Sequence, residues 1–204
     1  MDLEAARKHF KKVDSIMYKA LKTYGHTLVQ RKGIRGNARL FQALAHSVIG
    51  QQLAVKAAHA IRARVEHSCG GTITPDSILK TSLPRLRNAG LSAAKAKTLK
   101  ELAKAVKKGL NLSSLRTKTP QEAEETLTAI WGIGPWTTEM FLMFALGHPD
   151  IFSSRDLGLV RSMETLYGLK RTVTKEELEK IAVLWSPHRS LACRILWTAR
   201  DSTN

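Results

Sequence analysis

Apolar positions recur at intervals of three and four along most of this chain, the period of helices that bury one face. Over residues 3 to about 24 they fall at Leu3, Ala6, Phe10, Val13, Met17, Leu21 and Tyr24, with Lys8, Lys11, Lys12, Lys19 and Lys22 elsewhere on the turn. This predicts one long helix, ended by Gly25. After the polar link 31–37, a second helix is expected at about 38–50 and a third at about 54–67. Leu40, Phe41, Leu44, Val48 and Ile49 make the second apolar enough to occupy a core. Pro75 and Asp76 open a short helix, another covers about 84–87, and Ser92 N-caps a longer one reaching about residue 108. In that helix Leu99, Leu102, Val106 and Leu110 mark the buried side, and Lys97, Lys100, Lys104 and Lys108 read as a solvated face. Further helices are expected at about 120–130, 135–146, 155–167, 175–185 and 189–200. Strict alternation, the mark of a half-buried strand, is confined to a few residues around 71–74. The predicted class is all-α, with no solenoid repeat, no low-complexity tract and no linker long enough to separate independent domains.

Composition narrows the partner. With 43% hydrophobic and 25% charged residues in 204, the chain is globular rather than disordered, long enough for one domain or two closely packed subdomains. Lys and Arg number 33 against 17 Asp and Glu, a net charge of +16, which favours a polyanion and above all the phosphates of nucleic acid. Two cysteines, Cys69 and Cys193, without CxxC spacing, argue against a disulfide framework and exclude a four-cysteine zinc or iron–sulfur site within the chain. The seven histidines form no HExxH or other ligand spacing. The N-terminus lacks an apolar targeting core, and no stretch approaches the ~18 to 20 apolar residues needed to span a bilayer. An intracellular, soluble protein without a membrane partner is expected.

The most informative stretch is 127–146, Leu-Thr-Ala-Ile-Trp-Gly-Ile-Gly-Pro-Trp-Thr-Thr-Glu-Met-Phe-Leu-Met-Phe-Ala-Leu. A helix runs into Gly132-Ile133-Gly134, and Pro135 stands where a first helical position would be. The pattern is helix, tight hairpin, helix. Side-chain-free backbone at the glycines lets N–H groups of the second helix, those of Trp136 and Thr137, approach a phosphate, aided by the helix dipole. Ile133 anchors the hairpin in the core, and an aspartate, Asp156, follows about twenty residues downstream.

These residues resemble the helix-hairpin-helix DNA glycosylase superfamily, whose signature is this hairpin, a helix, a loop and then a catalytic aspartate, matched here by Asp156. Stretches 48–58 (Val-Ile-Gly-Gln-Gln-Leu-Ala-Val-Lys-Ala-Ala), 86–97 and 185–197 are similar to its alkylated-base branch, the 3-methyladenine glycosylase II type, so the resemblance covers about 37–200. It implies a single glycosylase domain over 1–204, with two helical subdomains flanking a cleft and without the N-terminal β domain of larger members. The subdomain carrying the hairpin is expected at about 70–150, packed against about 1–69 plus 151–204.

The resemblance also implies roles. Cleaving an N-glycosidic bond builds oxocarbenium charge on the deoxyribose, which a carboxylate such as Asp156 stabilises, or whose attacking water it orients. One carboxylate suffices when alkylation has already made the leaving base cationic. Trp136 and Trp197 match aromatic walls of the base pocket, attractive to a cationic purine, while Met140 stands where some relatives place an aromatic ring. Trp131 and Trp185 read as structural. Gln51, Gln52 and Leu53 match the region of the wedge that fills the space left by an extruded base, with Gln52 favoured and a core role for Leu53 as the alternative. Gly132, Ile133, Gly134, Trp136 and Thr137 form the phosphate anchor. Backbone carbonyls of Thr128, Ile130 and Ile133 correspond to positions that often hold a monovalent cation; no cofactor is required, and no iron–sulfur cluster is expected. Strand-cleaving relatives carry a Schiff-base lysine at the position of Trp136, so a monofunctional glycosylase without lyase activity follows. The implied partner is double-stranded DNA containing alkylated bases, bound by a monomer in a eukaryotic nucleus or in prokaryotic cytoplasm and nucleoid. The competing reading is a non-catalytic helix-hairpin-helix module binding damaged or distorted DNA, in which Asp156 is only an N-cap. The run Ser153-Ser154-Arg155, unlike that of many members, fits it as well.

Overall fold

The structure, a computed structural model, describes residues 2–28, 33–169 and 173–203; residues 31 and 32 of the expected link lie outside these. The helices are α1 (Leu3–Val13), α2 (Ser15–Tyr24), α3 (Asn37–Gly50), α4 (Val55–Ser68), α5 (Pro75–Lys80), α6 (Leu83–Asn88), α7 (Ala93–Lys107), α8 (Pro120–Thr128), α9 (Pro135–Met140), α10 (Leu157–Leu166), α11 (Lys175–Val183) and α12 (Arg189–Thr203). Two 3-10 turns (Gly25–Thr27 and Leu112–Arg116) and a π-helical segment (Phe141–Leu146) join them. Among the described residues there is no strand, and 71–74 is loop leading to the Thr74 N-cap of α5. No helix among them is long and apolar enough to cross a membrane.

The chain divides into two units, Gly33–Leu146 and Met1–Lys32 with Gly147–Asn204. Residues 33–69, expected with the terminal segments, therefore belong to the hairpin unit, and the second boundary lies at 146 rather than 150. The reason is packing: α3 lies against α4, α7, α9 and the π segment, and buries Leu40, Phe41, Leu44, Val48 and Ile49 completely. Around it, α5 and α6 pack on α7, and Ile78, Leu86, Leu99 and Leu102 on these helices are fully buried.

In the terminal unit the single helix expected over 3–24 is broken at Asp14. This residue is extended (φ −153°) and caps α2, its Oδ1 accepting from Ile16 N at 3.0 Å and Met17 N at 2.9 Å. Its Oδ2 accepts from Tyr167 Oη at 2.6 Å and Trp185 Nε1 at 2.8 Å. An unbroken helix would bury that carboxylate against a continuous apolar stripe; the break turns it into the acceptor for one buried and one half-buried donor. Trp185 is fully buried. Burial, reinforced by the neighbouring Asp14, pushes the Tyr167 hydroxyl well above the ordinary tyrosine range, so it stays a donor.

The expected helix over 135–146 is α-helical only to Met140 and then widens into the π segment. At its end, Ala145 O accepts from Ile34 N at 2.7 Å, and Leu146 O accepts from Arg116, whose Nη2 also reaches Ile34 O at 2.7 Å. Lys100, placed by its spacing on a solvated face, instead donates to Leu79 O at 2.8 Å and Thr81 O at 2.5 Å, closing the C-terminus of α5. Lys104 keeps to the surface beside Glu101.

Candidate active site

The hairpin forms as its residue types dictate. Helix α8 ends at Thr128, Ile133 N donates to Ile130 O at 3.0 Å, and Ile133 is buried. Gly132 has φ +84°, and a Cβ there would lie 1.9 Å from Thr98 Oγ1, so both conformation and the approach to α7 require glycine. Pro135 opens α9, and its N-cap, Gly134, supplies no side-chain acceptor to the first turn. Thr137 is buried, Trp136 half-buried and Met140 buried on the same helix. Thr128 and Ile130 stand at the entry to the hairpin, and the Ile130 carbonyl already accepts one hydrogen bond while keeping a second lone pair.

Gln51–Leu53 follows α3 in the same unit. Gln51 Nε2 donates to Thr137 Oγ1 at 2.8 Å, which ties this loop to the helix after the hairpin. Gln52 is exposed with φ +54°, the one described non-glycine residue in the left-handed region. Leu53 is 37% exposed, which removes the core alternative for it. Lys95, given no role by sequence, reaches the carbonyls of Ile49 at 2.9 Å and Gln51 at 2.6 Å. Trp131, read as structural, is 47% exposed at the hairpin, with the Lys97 ammonium 4.1 Å from its ring centroid.

Asp156 belongs to the terminal unit and is the N-cap of α10, with φ −83° and ψ 109°. The helix thus begins at Leu157, not at Arg155, because a capping residue stands outside the helix it starts. Asp156 Oδ1 accepts from Leu159 N at 2.9 Å and from the indole Nε1 of Trp197 at 3.1 Å. Trp197, from α12, therefore orients the carboxylate, a role that resemblance to a pocket wall did not suggest. An ideal Cβ on Gly158 would fall 2.0 Å from Arg200 Nη1 and 3.0 Å from Asp156 Oδ1, so guanidinium and carboxylate share the space over this glycine. The signal in the sequence was a glycine two positions after the aspartate. Sequence reasoning had no partner to set against it.

The structure thus brings Asp156 and Trp197 together in one unit, and Gln51 and Thr137 together in the other. Elsewhere in the terminal unit Asp150 is a structural anchor: burial opposes its ionisation, but Arg189 and Ser186 outweigh it and hold the carboxyl below its ordinary range. Among the described residues no group of three or more His, Cys, Asp or Glu side chains could hold a metal.

Residues 45–187, containing the hairpin and Asp156, match the model of the HhH-GPD superfamily of base excision DNA repair proteins. The chain belongs to this superfamily. It is 34% identical over 161 residues to DNA-3-methyladenine glycosylase 1 of Schizosaccharomyces pombe, covering 77% of this chain and 71% of that one. A 3-methyladenine DNA glycosylase of the same yeast, solved in complex with abasic DNA, superposes with a TM-score of 0.83 at 31% identity, covering 95% of each chain. A DNA-3-methyladenine glycosidase from Bacillus halodurans gives 0.81 at 34% identity, over 96% of this chain and 88% of that one. Within the matched span, hairpin, α9 and Asp156 follow one another in chain order.

Proposed function

We propose that this HhH-GPD protein is a monofunctional DNA glycosylase, which flips alkylated purines such as 3-methyladenine and 7-methylguanine out of duplex DNA and hydrolyses their N-glycosidic bonds. The observation that carries the reading is the carboxylate of Asp156, held on one oxygen by the Leu159 N–H and the Trp197 indole N–H at the start of α10. Its relatives bear glycosylase names.

As the bond between C1′ and the base nitrogen breaks, its electron pair leaves with the base, and positive charge develops at the sugar. Asp156 stabilises that charge and orients the water whose oxygen adds to C1′ as its proton is released. An alkylated purine, cationic beforehand, departs neutral and needs no general acid. Trp136, standing where strand-cleaving relatives carry a lysine, has no amine to form a Schiff base, so the product is an intact strand with an abasic site. Backbone N–H groups at the start of α9 grip a phosphate, and Gln52 with Leu53 enters the space the base vacates. The carbonyls of Thr128, Ile130 and Ile133 are the donor type a hard monovalent cation takes, and such an ion would add positive charge beside that phosphate.

Incubation with methylated duplex DNA tests the reading. Release of free 3-methyladenine or 7-methylguanine by the native protein, and its loss in Asp156→Asn, are expected. Equal release by the variant overturns the role of Asp156. The cap bond from Leu159 to Asp156 is also what a non-catalytic DNA-binding module requires. Salt-sensitive binding without base release would establish that module instead.

A further inference from the structure

We infer that Lys95 is a positioning residue that holds the 50–53 turn in the one conformation that presents Gln52 to DNA; the inference rests on the proposed wedge role of that loop. The turn runs from the Gly50 carbonyl to the Leu53 N–H at 3.2 Å. Its central residues are Gln51 at φ −49°, ψ 131° and Gln52 at φ +54°, the type II arrangement. Type II demands a left-handed second central residue and so favours glycine there, yet this chain places glutamine.

What separates type II from type I is the orientation of the central peptide, and so the direction of the Gln51 carbonyl. That carbonyl is where Lys95 Nζ donates, at 2.6 Å, while its second bond, 2.9 Å to Ile49 O, anchors it on the last turn of α3. Flipping the peptide to type I would swing the Gln51 oxygen away from the ammonium. Lys95 therefore selects the flipped peptide and, through it, the side of the turn from which the Gln52 side chain projects.

The position of Lys95 in its own helix agrees. It lies in the first turn of α7, where its N–H bonds Ser92 Oγ at 3.2 Å and where a positive charge opposes the helix dipole. The charge suits the carbonyl end of α3 instead. Burial also pushes the ammonium below the ordinary lysine range, as expected for an amine drawn partly out of water. On its other side the turn is tied by Gln51 Nε2 to Thr137 in the hairpin helix. The proposed phosphate anchor and wedge are thus joined by a direct side-chain bond, with Lys95 setting the wedge.

Lys95→Met keeps an unbranched side chain, one atom shorter, and a similar helix propensity but removes the donor; Lys95→Arg keeps donors. Type II places the Gln51 Hα beside the Gln52 amide, giving a strong nuclear Overhauser effect between them. We expect that signal in the native protein and in Lys95→Arg, its loss in Lys95→Met, and its return in Lys95→Met with Gln52→Gly, since glycine holds positive φ unaided. On DNA, Lys95→Met should lose about tenfold in affinity for a duplex containing a tetrahydrofuran abasic-site analogue, the size of effect that releasing a strained left-handed residue allows. Its affinity for the undamaged duplex should stay within about twofold, because the hairpin backbone is untouched. Retention of both the turn signal and the abasic-duplex affinity in Lys95→Met overturns the inference. If the native protein itself does not prefer the abasic duplex, the wedge reading fails, while the turn signal still decides the role of Lys95 in the loop. Where Lys95→Met does not fold, Lys95→Gln, too short to bridge both carbonyls, carries the same expected and overturning outcomes.

Discussion

Asp156 does two jobs that different substitutions separate. As an N-cap it accepts from Leu159 N, and as a hydrogen-bonded carboxylate it accepts from Trp197 Nε1. Asparagine caps about as well as aspartate, and its amide oxygen can take both bonds, so Asp156→Asn should cost no more than about 1 kcal/mol of stability. Alanine removes the acceptor. Loss of the cap costs about 0.5–2 kcal/mol and an indole N–H left without its acceptor about 1–3 kcal/mol, so Asp156→Ala should cost about 1.5–5 kcal/mol. Activity divides differently, because both variants lack the charge. A carboxylate about 4 Å from developing positive charge, at an effective dielectric of about 20, contributes about 4 kcal/mol, or about 10³-fold in rate. Urea unfolding and single-turnover release of 3-methyladenine from methylated duplex measure the two quantities side by side. The expected pattern is a near-native fold without activity for asparagine, and loss of both for alanine. Release by Asp156→Asn within tenfold of the native rate would refute the electrostatic role. Equal stability of the alanine and asparagine variants would refute the assignment of the two hydrogen bonds.

Three further outcomes follow from particular contacts. Asp14→Ala leaves Tyr167 Oη and Trp185 Nε1 without their acceptor and uncaps α2, so urea unfolding should show a loss of about 3–6 kcal/mol; Tyr167→Phe, which removes one donor and leaves the cap, should cost about 1–2 kcal/mol. Gly132→Ala forces a Cβ onto Thr98 Oγ1 at a positive φ, and should cost about 2–4 kcal/mol in the same assay and weaken binding to undamaged duplex. Burial, then Arg62, lowers the pKa of His46 against the pull of Glu66, and burial followed by His9 lowers that of His188. The unfolded chain therefore takes up protons first as pH falls below about 6.5. Stability should decline with acidification from there toward the depressed folded values, and thermal melts between pH 7.5 and 5 should show a shallower decline in His46→Gln.

Much of the fold was legible because its helices carry their own punctuation. Ser92, Thr74, Pro120 and Pro135 begin helices where their chemistry allows, and the apolar stripe of α3 marked the centre of its unit. What periodicity cannot show is a polar residue whose partners lie far along the chain. Asp14 fits a solvated break in a stripe as well as a helix continuing past it, until Tyr167 and Trp185 arrive from more than 150 positions away. The division into units failed for the same reason: α3 and α4 precede the hairpin by many residues, and only packing against α7 and α9 assigns them to it. Of the candidate site, the hairpin glycines and the capping position of Asp156 were legible from local residue types, whereas the choice of Asp156 as its carboxylate came from the family resemblance. The Trp197 indole on Asp156 was not legible, since a side-chain bond joins the start of α10 to the middle of α12, 41 positions along the chain.

The lysines of α7 show how far charge can mislead when it is counted rather than placed. Lys97, Lys100, Lys104 and Lys108 share a spacing that reads as one solvated face, and with a net charge of +16 that face invites assignment to DNA. Yet Lys100 closes the carbonyl end of α5, and Lys95, outside the row, closes that of α3. Both amines lose hydration, and burial lowers both pKa values. They remain where they are because carbonyls at a helix C-terminus have lost their intrahelical donors and carry the negative end of the dipole. A neutral side chain of the same length would satisfy at most part of that demand. Lys104 and Lys107 are committed to Glu101 and Asp76 at the surface, and Lys97 to the face of Trp131. Lys95 and Lys100 thus serve to join helices within the hairpin unit, a role that no count of lysines would have located.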